Sequence, residues 1–249
     1  YIGRQLVDDL DRLQINFRSL SLKQRQNYEQ LKACHNHKSA LEKPGIFQSE
    51  LEDVDQIVFL AATNTGSNFI NVQFPARVAQ SALEVGRIKR FIFVSTAKVY
   101  GEFSCSSQGL GSLSALSPKS NYSKSKMLAE IELRRTFLNS GIELIIFRIP
   151  NIIGPKSAGI FRFLVNSINR GIPLPIGDES VKKSFLARND LSQIITQILL
   201  DSNTLIEDSA ENIIHLKSGE YDIEYLPLLN LIGRRTQKKP RIFHVPSER

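Results

Sequence analysis

The sequence predicts an α/β fold, a doubly wound parallel sheet followed by a smaller C-terminal lobe, and two observations carry that prediction. Three apolar runs, Gln56 to Ala62 (QIVFLAA), Arg90 to Thr96 (RFIFVST) and Ile142 to Ile149 (IELIIFRI), are β-branched or aromatic and lack clean alternation. Strands buried on both faces have that composition, because helices cover a parallel sheet above and below. The segments between the runs carry helical spacing: residues 71 to 86, and residues 121 to 139 with Met127, Ile131 and Leu138 on one face. Strand alternating with helix gives a Rossmann-type, doubly wound arrangement.

Taken in order, the chain opens on a helix, since Leu6, Leu10 and Leu13 form one apolar stripe at i, i+4, i+7. The alternating stretch Leu13 to Arg18 then reads as a strand, and residues 19 to 50 are polar and carry no assignment. After the three buried runs the pattern loosens beyond Pro150, with Gly154-Pro155, Gly171-Ile172-Pro173 and Pro175-Ile176-Gly177 punctuating short elements. The expected division is therefore residues 1–150 for the sheet and 151–249 mainly for a lobe over its carboxyl edge, with parts returning to the sheet. Arg241 to Pro246 (RIFHVP) reads as a late strand. Met127 is the sole methionine, so the natural protein is expected to extend past both ends, with the central first strand of the order 3-2-1-4-5-6 lying ahead of Tyr1.

Composition narrows the classes. With 41% apolar residues the chain can bury a substantial core, and no apolar run approaches the ~18 residues that span a bilayer, so no membrane partner is expected. Nothing resembles a signal peptide, which places the protein in the cytoplasm. Cys34 and Cys105 lack C-x-x-C spacing, and Cys34, His35 and His37 read as loop, so no metal is expected. The net charge of +7 is spread along the chain apart from Arg234, Arg235, Lys238, Lys239 and Arg241, which read as a solvated face. Distributed positive potential suits an anionic small ligand, and no nucleic-acid partner is expected. A hydrolase nucleophile elbow, G-x-S-x-G, is absent.

The residues that carry chemistry lie between positions 95 and 126. Tyr122 and Lys126 stand four apart, on one face of a helix. A phenol titrates near pH 10, and a neighbouring ammonium is expected to lower that value enough for the pair to shuttle a proton to or from a hydroxyl. Tyr28 with Lys32 has the same spacing, but only Tyr122 follows a buried strand ending in hydroxyls, Ser95-Thr96. A hydroxyl at a strand's carboxyl end is placed to hold a substrate oxygen.

With these residues the chain resembles the extended short-chain dehydrogenase/reductases, the family of UDP-glucose 4-epimerase, sugar-nucleotide 4,6-dehydratases and 4-ketoreductases. The matching stretches are FVSTAKVYG at 93–101, P-x-x-x-Y-x-x-S-K at 118–126 with Glu130 following, FRIPNIIGP at 147–155, RGIPLPIG at 170–177, KSFLARNDL at 183–191 and HLKSGE at 215–220. The resemblance implies catalytic roles for Thr96, Tyr122 and Lys126. It implies cofactor contacts at Gly3, Ala61, Ala62, Asn71, Ser95, Tyr122 and Lys126, and sugar-nucleotide contacts at Thr96, Asn151 and Lys183. Gly3 matches the third glycine of a G-x-x-G-x-x-G loop, and Lys183 stands where the family has an arginine, which keeps the charge but loses the bidentate fork. A homodimer through two helices is the implied assembly.

The implied function is NAD(P)-dependent oxidoreduction at C4 of a nucleotide-activated sugar, most naturally a UDP-sugar, in surface polysaccharide biosynthesis. Ala97 and Lys98 stand where dehydratases carry an Asp-Glu pair, which leaves 4-epimerase and 4-ketoreductase. NAD and NADP both remain open, with a lean to NADP because Arg18, Lys23 and Arg25 follow the expected second strand and no acid stands nearby. The competing reading is a nucleotide-binding module without turnover, against which the intact Thr96, Tyr122 and Lys126 argue.

Overall fold

The computed structural model describes residues 2–20, 47–101, 114–155, 159–177, 182–201, 213–217 and 222–245. The readings of Lys23, Arg25, Tyr28 with Lys32, Cys34, His35, His37 and Cys105 lie outside these residues. Seven α-helices are described: α1 (Ile2–Arg12), α2 (Gln48–Leu51), α3 (Phe74–Val85), α4 (Asn121–Phe137), α5 (Ile160–Asn169), α6 (Arg188–Leu200) and α7 (Tyr225–Thr236). The strands are β1 (Gln56–Phe59), β2 (Arg90–Thr96), β3 (Glu143–Ile149), β4 (Asn151–Ile153), β5 (Leu174–Ile176), β6 (Lys182–Lys183), β7 (Phe185–Ala187), β8 (Ile213–His215), β9 (Ile223–Glu224) and β10 (Ile242–His244). They fall into two compact units, one of Leu6–Ile149 and Ile195–His215, the other of Tyr1–Gln5, Pro150–Ile194 and Leu216–Arg249.

The first unit is built on a four-stranded parallel sheet in the order β1-β2-β3-β8. All seven residues of β2 are buried, as a strand covered on both faces must be. Its aromatic residues Phe91 and Phe93 pack with Phe47, Phe59, Phe74 and Phe137 in one core cluster. Phe59 meets Phe74 edge-on, with centroids 5.1 Å apart, and stacks on Phe91 at 6.3 Å. A π-helical turn, Phe69–Gln73, leads into α3, which ends where Gly86 takes the left-handed conformation and donates its N–H to Ala82.

Helix α4 begins with a capping box. Ser120 Oγ accepts from the Ser123 amide, while Ser123 Oγ takes the Ser120 amide in return. Its orientation corrects the expectation from spacing. Ile131 and Leu138 are exposed, and the buried face carries Ser123, Ser125, Lys126, Ala129, Glu130, Leu133 and Phe137. A helix normally buries its apolar stripe. Here polar side chains are turned inward because each finds a partner there, described below.

The alternating stretch Leu13 to Arg18 is not a strand. Helix α1 ends in a turn in which the Ile15 amide returns to Leu10 and Gln14 has positive φ, and the chain then runs on unpaired by any ladder. Alternation favours a strand only where a neighbour offers a ladder, and among the described residues β1 pairs with β2 alone. Arg18 instead donates to the carbonyls of Ser49 and Glu50, at 3.2 and 2.7 Å, at the end of α2.

The second unit contains three two-stranded ladders: β4 with β7 and β5 with β10, both parallel, and β6 with β9, antiparallel. Its core joins Leu164 and Ile168 of α5, Leu174 and Ile176 of β5, Phe185 of β7, and Leu228, Leu229 and Ile232 of α7. The Arg241–Pro246 stretch supplies β10, at Ile242–His244. A Cβ on Gly233 would lie 2.7 Å from the Lys238 carbonyl oxygen, so this glycine is what lets the chain after α7 fold back onto the helix.

Candidate active site

The first unit packs α4, which carries Tyr122 and Lys126, on β2, which ends in Thr96. Thr96 is the last residue of β2, 7% exposed, and its Oγ1 caps the short 3₁₀ turn Ala97–Tyr100 by accepting from the Lys98 amide. Lys126 is buried, with its ammonium 3.8 Å from the centre of the Phe93 ring, three residues before Thr96 on the same strand. An ammonium over a ring face is attracted by the ring quadrupole. Burial is the larger influence, however, and lowers its pKa to about 7 even though the Glu130 carboxylate acts in the opposite direction.

The Tyr122 phenol also departs from expectation. It was expected to be lowered by Lys126, yet burial raises it above its ordinary value, because a phenolate would lose solvation on the inward side of α4. The ammonium that was to lower it lies against Phe93, where its N–H donors face a ring rather than an acceptor.

The loop after β1 reaches the start of α4. Ala61 packs against the core and Ala62 is exposed. Thr63 is held by Asn71, which accepts from the Thr63 amide at 2.8 Å and donates to its carbonyl at 2.9 Å. Asn71 also donates to Ser125 Oγ at 2.9 Å, and Ser125 Oγ donates to the Tyr122 carbonyl at 2.8 Å. Asn71, 1% exposed, is thus a clamp between this loop and the helix turn that carries Tyr122. Gly66 makes the approach possible, since a Cβ there would sit 2.5 Å from the Asn121 carbonyl carbon. Sequence reasoning missed this glycine, although the Thr-Asn-Thr-Gly-Ser run around it is a turn signal.

Ser95 turns its side chain away from Thr96's side of the strand and donates a short hydrogen bond to Glu130. Glu130 receives Arg148 through Nη2 at 2.7 Å and Nε at 3.1 Å. Arg148 Nη1 donates to the Tyr100 hydroxyl at 2.5 Å, with the guanidinium over the Tyr100 ring, and that hydroxyl lies 2.7 Å from His215 Nε2. The Tyr100 oxygen thus accepts from Arg148 and shares a second hydrogen bond with His215 Nε2. Burial, followed by the Arg148 cation, holds the imidazole below its ordinary pKa. Ser95, Glu130, Arg148, Tyr100 and His215 therefore form one polar chain across α4, β2, β3 and β8. Four of its members stand inside the motifs quoted above, but spacing alone gave no reason to connect them.

The remaining candidates lie elsewhere. Gly3 is in the first turn of α1, and Arg18 is engaged with carbonyls as described. Asn151 begins β4 and Lys183 ends β6, both in the second unit. Lys183 lines a cavity of about 410 Å³ whose walls include Phe161, Phe185, Leu228 and Ile232, with Arg235 and Thr236 also at its surface. An apolar slot with two cations and a hydroxyl suits an amphipathic anion.

The sequence profile of the NAD dependent epimerase/dehydratase family matches residues 1–213. The chain belongs to that family. Among curated members it is 29% identical to UDP-glucose 4-epimerase of Vibrio cholerae over 155 residues, 62% of this chain and 45% of that protein. It is 33% identical over 162 residues to a trifunctional UDP-glucose 4,6-dehydratase/UDP-4-keto-6-deoxy-D-glucose 3,5-epimerase/UDP-4-keto-L-rhamnose-reductase of Arabidopsis thaliana, covering 59% of this chain and 24% of that one. The chain thus spans less than two thirds of the length of these relatives. Among solved structures, dTDP-glucose 4,6-dehydratase of Bacillus anthracis in complex with NAD matches with a TM-score of 0.73 at 20% identity, covering 100% of this chain and 82% of that one. RMD of Pseudomonas aeruginosa complexed with NADPH gives 0.72 at 20% identity, covering 98% and 84%. These likenesses establish the epimerase/dehydratase fold, a Rossmann-type parallel sheet, for this chain. No described helix is long and apolar enough to cross a membrane.

Proposed function

We propose that this family member transfers a hydride between a nicotinamide dinucleotide and C4 of a nucleotide-activated sugar, as a 4-epimerase or 4-ketoreductase. The observation that carries this reading is the seating of Lys126 on Phe93 of β2, which ties the Tyr122–Lys126 turn of α4 to the strand that ends in Thr96. The curated relatives, whose names give nucleotide-sugar chemistry, support the substrate class. A UDP-sugar of surface polysaccharide biosynthesis, handled in the cytoplasm, is the substrate we favour.

The residues present fit a dinucleotide. Lys126 has ammonium donors facing a ring, available to ribose hydroxyls, and Gly3 stands in the first turn of a helix, where backbone N–H groups favour a pyrophosphate. A nicotinamide bound there would supply or accept the hydride. Thr96 Oγ1 holds the sugar oxygen at C4, and the Tyr122 hydroxyl takes or returns its proton. Lys126, when charged, favours the Tyr122 phenolate against the burial that raises its pKa. In the second unit, taken by itself, Asn151 and Lys183 are the sugar-nucleotide contacts that the resemblance implies. Arg18 binds carbonyls of residues 49 and 50 and so lends no support to NADP over NAD, and we propose either dinucleotide. The exposed Leu128 and Ile131 on α4, with Leu138 just past its end, support a homodimer through that helix.

The test is incubation with UDP-sugars and each dinucleotide, following absorbance at 340 nm alongside product analysis. A 4-epimerase interconverts sugars with no net absorbance change, whereas a 4-ketoreductase consumes reduced cofactor in proportion to product. Tyr122→Phe, which retains the packed ring, abolishes either outcome. Turnover surviving that substitution would sink the mechanism.

A further inference from the structure

Lys126 must be an ammonium to do what the proposed reaction asks of it, yet it sits where an ammonium is disfavoured. We propose that Glu130 is a positioning residue for that reaction: anchored by Arg148 and Ser95, it is the counter-charge that keeps the buried Lys126 protonated over Phe93. The proposal rests on the functional reading above for its consequence, but not for its test.

The geometry supports it from both sides. Glu130 lies one helical turn beyond Lys126 on the same buried face of α4, the spacing at which opposite charges attract along a helix. It is 1% exposed, and a carboxylate buried that far stays ionised only when paired and hydrogen-bonded. Arg148 provides two N–H bonds at 2.7 and 3.1 Å, and the Ser95 hydroxyl provides a third. Arg148 is in turn fixed by Tyr100, through a hydrogen bond and its ring face.

Among the described residues no other carboxylate is placed to do this. The elements packed against α4 are β2, β3, α3, the π-helical turn and the 3₁₀ turn. Their charged or titratable groups are Arg90, Glu143, Arg148, Arg77, Glu84, Lys98 and Tyr100, and α4 itself adds Tyr122, Lys124, Glu132, Arg134 and Arg135. Of the carboxylates, Glu143 pairs with Arg90 at the far end of β2, Glu84 bonds to Gln48, and Glu132 stands off the buried face. Glu130 is the one whose charge opposes the deprotonation of Lys126.

The experiment labels the full chain with lysine carrying ¹³C at Cε and follows the resonance against pH, the Lys126 signal being assigned by its loss in Lys126→Met. Wild type is expected to titrate near pH 7. In Glu130→Gln the midpoint falls by at least about one pH unit, and Glu130→Asp recovers most of the difference. Should Arg148, left unpaired, prevent Glu130→Gln from folding, Glu130→Gln with Arg148→Met removes both buried charges together, a change that proteins often tolerate. A downward shift, smaller because the opposing Arg148 cation is removed with the carboxylate, is expected in that double variant. A cooperative thermal transition with an unchanged Lys126 midpoint, in either variant, overturns the proposal by showing Glu130 to be merely structural. The titration is read without dinucleotide or sugar, so failure of the sugar assay with a shifted midpoint overturns the functional reading alone.

Discussion

Strands β2 and β3 place a buried arginine at each end of their ladder, each paired with a glutamate, and the two pairs serve different purposes. At the amino end Arg90 faces Glu143 directly across the ladder, with Nε 2.6 Å from the carboxylate. Its Nη1 goes to Gln56 on β1 and to the carbonyls of Ile198 and Asp201 at the end of α6. A cation at a helix C-terminus satisfies carbonyls that the helix leaves without partners. At the carboxyl end Arg148 faces Ser95 across the same ladder and reaches Glu130 on α4. There the partners are side chains, and the chain of contacts runs from Ser95 at one side to His215 at the other. One pair closes the architecture. The other holds charges in place on the buried face of α4 that also carries Lys126, whose charged form burial disfavours.

The comparison is sharpest at Lys126. Its folded-state pKa, about 7, lies below the ordinary lysine value of 10.5. A group depressed in this way adds its full share of stability only above 10.5, and that share is lost as pH falls toward 7. Lys126→Met should therefore stabilise the protein at pH 7 by on the order of 4 kcal/mol while abolishing dinucleotide binding. Thermal denaturation at pH 7 and at pH 10 with calorimetric titration of NAD checks this, and the gain should be smaller at pH 10. A less stable variant at pH 7 would mean that Lys126 is well accommodated and the two ends of the sheet are alike.

Arg90→Met should act in the opposite sense. It strands Glu143 and exposes carbonyls at the end of α6, so stability should fall by about 3 kcal/mol. NAD affinity and the pH dependence of turnover should keep their wild-type form in the variant that remains folded. A changed pH profile would break the comparison by making the amino-end pair part of the chemistry.

Gly66 tests whether the carboxyl end is held as tightly as its hydrogen bonds suggest. Its φ is +71° and a Cβ would meet the Asn121 backbone, so Gly66→Ala combines backbone strain with a collision that no side-chain rotation relieves. The expected loss is about 2 kcal/mol of stability, with a fall in kcat because the displaced helix turn carries Tyr122. Unchanged kcat at reduced stability would show that the loop and the catalytic turn are independent.

The sheet was legible because its strands are uninterrupted apolar runs, and such runs have few other places to go. Residues 13–18 misled because alternation describes a face, whereas a strand requires a ladder. Thr96, Tyr122 and Lys126 could be named from spacing and resemblance. The inward face of α4 could not, since Met127, Ile131 and Leu138 are its apolar stripe and a helix ordinarily buries that stripe. What turned it was the set of partners for Ser125 and Glu130, which come from residues 54 and 18 positions away, Asn71 and Arg148. Long-range polar pairing leaves no periodic trace in sequence. The same holds for the environment of Tyr122, where spacing suggested an ammonium neighbour and the structure shows burial to be the larger influence.

The smallest expected effect lies at the exposed end of the polar chain. His215 Nε2 shares a hydrogen bond with the Tyr100 hydroxyl, and burial together with Arg148 depresses its folded-state pKa below the ordinary 6.5. Its contribution to stability is thus complete above pH 6.5 and is lost as pH falls through the window down to the depressed value. Protonation would put a second cation near Arg148. Because the imidazole is exposed to solvent, the effect should amount to a fraction of a kcal/mol. His215→Gln offers an amide oxygen to Tyr100 without a titrating group, so its melting temperature should fall less steeply than that of wild type between pH 7 and pH 5. Melting curves of both proteins in matched buffers decide the point: parallel slopes would mean that His215 is not coupled to the buried pair and that the chain of contacts ends, energetically, at Arg148.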